Sequence, residues 1–406
     1  MEPTTPETEP KNNAQDTAAS ADAKDTAAAQ SEAVEIAEGA LLTLAKESKY
    51  DDARALLALG ANVNTLNEQR ESALTLALGN YDVRMTRLFL RAGADVSKYE
   101  DQTGKSLLSV LRHAGSTFKP EEETIACMLL DHGAAANVRD NLGLPLIARY
   151  ASLGMLQAVE RILEAGADPN AINPDSKLSA LYFAINGDAK SLPVIAALLE
   201  GGANPNGSSE EKTLPLFLAV RQKNLPAAEM LLQAGADASR TSPDTSMTPL
   251  LQALKNGQAD MIDLLVAHGA DIHATLPDGA RALDVLVRDN ASIEAVQKAL
   301  ALGARADVCR LDDHGAPVES ALHLAVRHKR TEMINEMLKA GADPLVVDGF
   351  GYTPLQLAHS MLGGDDAIVD RLRLADGAAR VERERTYRAA AVDAPPPNSP
   401  PRPPAP

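Results

Sequence analysis

The chain has 406 residues, a net charge of −17 and a hydrophobic fraction of 45%, with 3% aromatic residues and no tryptophan. Such an acidic balance disfavours nucleic acid and anionic membrane surfaces as partners, because both need clustered Lys and Arg. Two cysteines, Cys127 and Cys309, are too few for a disulfide framework or a thiolate zinc site.

Residues 1–30 are Thr, Ala, Glu, Asp, Lys and Pro without hydrophobic periodicity, and read as a disordered acidic arm. They hold no apolar core of a signal segment, and no stretch of the chain reaches membrane-span length. A cytoplasmic protein is expected, with secretion by a signal-less route left open. From Ser31, "SEAVEIAEGALLTLA" reads as a first helix with a polar outer side, as an end cap requires.

A short turn then recurs: "LGANVN" at 59–64, "HGAAAN" at 132–137, "AGADPN" at 165–170, "GGANPN" at 201–206 and "HGADIH" at 268–273. Its glycines fall at 60, 93, 133, 166, 202, 235, 269, 303, 341 and 377, a period near 33 that replaces any count of globular domains. The unit is clearest at 248–273, "TPLLQALKNGQADMIDLLVAHGADIH". Thr248 is placed to cap a helix with Pro249 at its first position, where a missing N–H costs nothing. Leu250, Leu251 and Leu254 mark the apolar face of that helix. "KNGQ" breaks it, a second helix follows with Met261, Ile262, Leu264, Leu265 and Val266, and Gly269 ends it. "ADIHATLPDGAR" carries the chain, through an Asp-Gly turn, to the next unit.

This unit resembles the ankyrin repeat, whose pattern is G-x-T-P-L-H-x-A, a Gly between the helices and G-A-D-x-N after the second. "SALHLAVRHKRTEMINEMLKAGADP" at 320–344, "TPLQLA" at 353–358, "SALTLALGN" at 72–80 and "LPLFLAV" at 214–220 carry the likeness. It covers about residues 40–378 as roughly ten units. The resemblance implies an all-α solenoid of helix–turn–helix units with short hairpin-like turns, occupying 31–378. Each unit buries its faces only against its neighbours. The family His after T-P-L, which ties one unit to the next turn, occurs only as His323.

Two departures are candidate functional loops. "GSTFKPEEE" lengthens the unit at 106–133 between its helices, and the connection 303–320 is longer than usual. After residue 378, "VERERTYRAA" reads as a helix extension and "APPPNSPPRPPAP" at 394–406 as a polyproline II tail. Pro397, Pro400 and Arg402 have the spacing P-x-x-P-x-R of an SH3-type ligand.

No phosphate loop, H-E-x-x-H or G-x-S-x-G occurs, so no catalytic residue, cofactor or metal is expected. His132 and His268 suit helix C-termini. His323 and His328 are spaced wrongly for one helix face. Cys127 reads as a buried small hydrophobe, and Cys309 as an exposed thiol. The most informative set is basic: Arg221, Lys255, Arg288 and Arg327 recur late in successive first helices, with Arg288 displaced by about one residue. In an ankyrin stack these would line the concave groove, with Arg240, Asp278 and Asp312 on the turn tips. The same residues also suit helix dipoles. The expected function is a non-enzymatic, monomeric protein–protein interaction module whose partner presents an acidic segment. A specific enzyme inhibitor or secreted effector acting through the same surface is the alternative.

Overall fold

The computed structural model describes residues 36–97, 107, 120–140, 143–187, 191–312, 314–315, 318–363 and 366–393. The acidic arm and the tail residues Pro397, Pro400 and Arg402 lie outside them. Packing divides the chain into two compact units, Met1–Gly202 and Ala203–Pro406.

The C-terminal unit is five helix pairs. They are Pro215–Arg221 with Leu225–Gln233, Pro249–Lys255 with Ala259–Ala267, Ala282–Arg288 with Ile293–Ala301, Ala321–Arg327 with Thr331–Lys339, and Pro354–Leu362 with Ala367–Asp393. The N-terminal unit repeats the motif, for example in Ala73–Gly79 with Val83–Arg91 and Leu146–Ser152 with Leu156–Glu164. Its first helix is described from residue 36 to residue 46. Apart from helices, the described residues carry isolated antiparallel bridges at the hairpins, such as Leu66 with Ser72 and Ser242 with Met247.

Local chemistry sets these ends. The Thr248 side chain accepts from the Leu251 amide with Pro249 at the first helical position, and Gly269 takes φ 83° after the second helix. Leu250, Leu251, Leu254, Met261, Ile262 and Leu265 are buried. Leu264 is only half-buried, and Val266 is exposed, because it falls outside the apolar stripe of its helix.

The recurrence of the turn has a hydrogen-bond explanation. In "LGANVN", Asn64 donates to the Gly93 carbonyl and accepts from the Asp95 amide, both in the next turn. Asn137 does the same with Gly166 and Asp168, and Asn206 with Gly235 and Asp237. Asn170 donates to Gly202. Ser239 continues the series with Gly269 and Asp271. In these turns a side chain with both a donor and an acceptor at the sixth position satisfies groups left open at the end of the next unit's second helix.

Two expectations change. "PEEE" is not part of an insertion: Pro120–Asp131 is a helix with Glu121, Glu122 and Glu123 in its first turn, where carboxylates suit the helix dipole. Glu123 also accepts from the Gln157 amide, and so caps the second helix of the following unit. The rest of the expected insertion lies outside the described residues. Gly377, counted above as a turn mark, sits inside the 27-residue helix Ala367–Asp393 and is not among the positive-φ glycines. The Arg380–Asp376 ion pair at i, i+4 spans that point and supports continued helix.

Candidate functional site

Arg221, Lys255, Arg288 and Arg327 each occupy the last position of a seven-residue first helix. Arg288 is not displaced; its helix starts one residue earlier relative to the turn glycine. Among the described residues of the N-terminal unit, the corresponding positions hold Gly79, Ser152 and Asn186, none of them basic.

Each cation meets a carboxylate. Arg221 Nη1 lies 3.4 Å from Asp244, Lys255 Nζ 2.6 Å from Asp289, Arg288 Nη1 3.3 Å from Asp278, and Arg327 Nη2 3.2 Å from Glu319. Arg288 Nε also approaches Asp289 at 3.6 Å. The cations remain 37% to 47% exposed, whereas Asp244, Asp289 and Glu319 are 22%, 25% and 15% exposed. Arg221, Lys255 and Arg327 are thus more exposed than the carboxylates that orient them, whereas Arg288 and Asp278 are equally exposed. Exposed pairs of this kind stabilise by only about 0.2–1 kcal/mol each.

The expected turn tips divide. Asp278 is the third residue of a turn closed by the Gly279 amide on Leu276 O. Burial works to raise its pKa, but the Ala280 amide and Arg288 outweigh that and hold it below the usual carboxylate range. Arg240 is half-buried and donates to Asn206 O of the neighbouring turn, so it braces the stack instead of projecting from it. Asp312 is exposed and accepts from the His314 amide within its own turn.

His323 is fully buried. Its Nδ1 is 2.8 Å from Ser320 Oγ and its Nε2 2.9 Å from Tyr352 O in the next hairpin, the tie implied by the resemblance. Burial lowers its pKa. Asp284 stands at the equivalent place one unit earlier and is also buried, accepting from the Arg281 amide at 2.8 Å. Burial is the main influence that pushes its carboxyl up to about 6. In the sequence, the signal for this burial is the T-P-L-H register that Asp284 shares with His323.

Neither thiol is poised to react. Cys127 is half-buried, not fully buried, and desolvation followed by Glu123 and Asp131 raises its thiol to about 11. Cys309 donates to Val347 O at 3.3 Å and is raised by desolvation and by Asp348 and Asp284. Among the described residues no group of three or more His, Cys, Asp or Glu could hold a metal, and no helix is long and apolar enough to cross a membrane.

Three family models match the chain: ankyrin repeats (3 copies) over 146–242, ankyrin repeat over 245–274, and ankyrin repeats (many copies) over 300–358. The chain is an ankyrin-repeat protein. It is 28% identical over 179 residues to the nuclear factor NF-kappa-B p105 subunit of Gallus gallus, covering 43% of this chain and 17% of that protein. It is 29% identical over 215 residues to the B-cell lymphoma 3 protein homolog of Mus musculus, covering 51% of this chain and 45% of that protein. The chain thus spans less than half the length of both relatives. Among solved structures it is similar to the human ASB11 ankyrin repeat domain, at 25% identity and TM-score 0.44, over 56% of this chain and 96% of that one. The ankyrin repeat domain of Bcl-3 aligns at 24% identity and TM-score 0.47, over 56% of this chain and 97% of that one. Ankyrin repeat domains are generally non-catalytic, and membership supports a protein–protein interaction module.

Proposed function

We propose that the C-terminal unit binds an acidic segment of a partner protein along the face formed by its first-helix ends and hairpins. The observation that carries this reading is the register of Arg221, Lys255, Arg288 and Arg327 at one repeat position. Their heads point outward over less exposed carboxylates. A partner carboxylate would meet cations already oriented, which lowers the ordering cost of binding. Asp278 and Asp312 lie on the neighbouring hairpin turns and would discriminate among partners by repulsion. Arg240 contributes by holding its turn in place.

The test uses a partner recovered by crosslinking to the full chain. Reversal of Arg221 and Lys255 to Glu should slow association at low salt and flatten its dependence on ionic strength, because such charges act chiefly on encounter. Unchanged association rates at low and high salt would remove this face from the function. A role confined to helix dipoles would show as a small stability loss with binding intact.

A further inference from the structure

The hairpins of the C-terminal unit present tips of different character. Turns closed by Gly279 on Leu276, Gly315 on Asp312 and Gly351 on Asp348 put Asp278, His314 and Phe350 at the same place. The last is an aromatic ring left 82% exposed. The Phe89 and Phe217 rings, by contrast, are fully buried.

Phe350 does not stand on a loose loop. Asp348 is buried, and its Oδ1 accepts from the amides of both Phe350 and Tyr352 at 3.0 and 2.9 Å. The Gly349 amide donates to Val318 O of the preceding hairpin, and Tyr352 O is held by His323. Leu311 and Val347 occupy equivalent positions, one residue before their turns, and are 51% and 46% exposed. Cys309 Sγ bonded to Val347 O and Gly349 bonded to Val318 set these two hairpins side by side. Leu311, Val347, Phe350 and Tyr352 are thus four exposed apolar side chains on two hairpins tied together by hydrogen bonds.

This surface adjoins the end of the basic register. His323 faces the Tyr352 hairpin, and Arg327, four residues on, shares its helix face. We infer that Phe350, with Leu311, Val347 and Tyr352, is the apolar anchor site for the acidic partner segment, which carries a bulky apolar side chain beside its carboxylates. The inference rests on the reading above and adds a division of labour. The cations steer and orient, while the anchor supplies most of the affinity, as rigidly held aromatic residues do at interfaces.

The probe is a library of 16-residue peptides displayed on phage and selected on the full chain. Enriched peptides are expected to combine Phe, Trp, Leu or Ile with two or more Asp or Glu. Their affinity should fall at least tenfold in Phe350→Ser and in Leu311→Ser, and more weakly in Arg327→Glu. Thermal unfolding of Phe350→Ser and Leu311→Ser should match the parent, since both side chains are exposed; Arg327→Glu, which faces Glu319, is compared by binding at matched folded fraction. Tyr352→Ser serves as a second anchor variant if Phe350→Ser lowers stability. Enriched peptides that bind the anchor variants and the parent equally, yet respond to Arg221→Glu with Lys255→Glu, overturn the anchor and leave the protein-binding reading intact. Enriched peptides without a large apolar residue also overturn it. A selection that enriches nothing on the folded chain counts against both readings.

Discussion

Asp284→Asn should make the protein more stable at neutral pH. The carboxyl is 4% exposed between its own helix and the next hairpin, and faces Arg281, Arg310 and Glu319. Burial dominates, the Arg281 amide and the two arginines oppose it, and Glu319 adds to it; the result is a pKa of about 6. In the unfolded chain an aspartate titrates near 3.9, so the folded state holds the proton more tightly. The stabilisation from the protonated form is complete below about pH 4 and is lost as the pH rises through 6. At about 1.4 kcal/mol per tenfold change in proton affinity, the ionised side chain costs about 3 kcal/mol at pH 7. Asn retains an oxygen to accept from the Arg281 amide but brings an amide group that must be satisfied, so a net gain of about 1–2 kcal/mol is expected. Long repeat arrays do not unfold in two states, so hydrogen exchange of 282–288 and 309–319 is the suitable assay, run at pH 4.5, 6 and 7.5 and corrected for intrinsic rates. The variant should be better protected at pH 7.5, with the difference closing toward pH 4.5. A difference that grows on acidification, or a variant less protected at pH 7.5, would show that Asp284 is a stabilising anion and refute the burial argument.

Asn206→Ala removes both the donor to Gly235 O and the acceptor for the Asp237 amide, and should cost about 1–2 kcal/mol, seen as faster exchange of the 235–240 turn. Asn137→Ala breaks the equivalent bonds far along the sequence, and its cost should add to that of Asn206→Ala in the double variant. Alkylation of Cys127 and Cys309 by iodoacetamide at pH 8 should be slower than that of an unfolded cysteine peptide and should still rise with pH above 9, because both thiols are raised. A plateau below pH 8 at either site would mean a thiolate stabilised by a contact not described above.

The repeat and its family were legible in the chain itself, because a solenoid writes the same local solution each time. Thr248, Pro249 and Gly269 act within a few residues of themselves, and caps and turn glycines are chosen by backbone geometry that needs no distant partner. The period of the turn gave the register of the four cations to within one residue, and helix ends then brought Arg288 into line. What sequence could not supply is whatever depends on a neighbour about thirty residues away. The exchange of hydrogen bonds from Asn206 to Gly235 and Asp237, the carboxylates beneath Arg221 and Lys255, the burial of Asp284 and the bracing role of Arg240 all arise between units. So does the Phe350 surface, since an exposed and a buried phenylalanine look alike in a string of letters. Gly377 is compatible with a turn, yet it continues the helix Ala367–Asp393, with the Arg380–Asp376 ion pair spanning it. Backbone preference is local and therefore readable, whereas burial and pairing are properties of what the folded chain brings alongside.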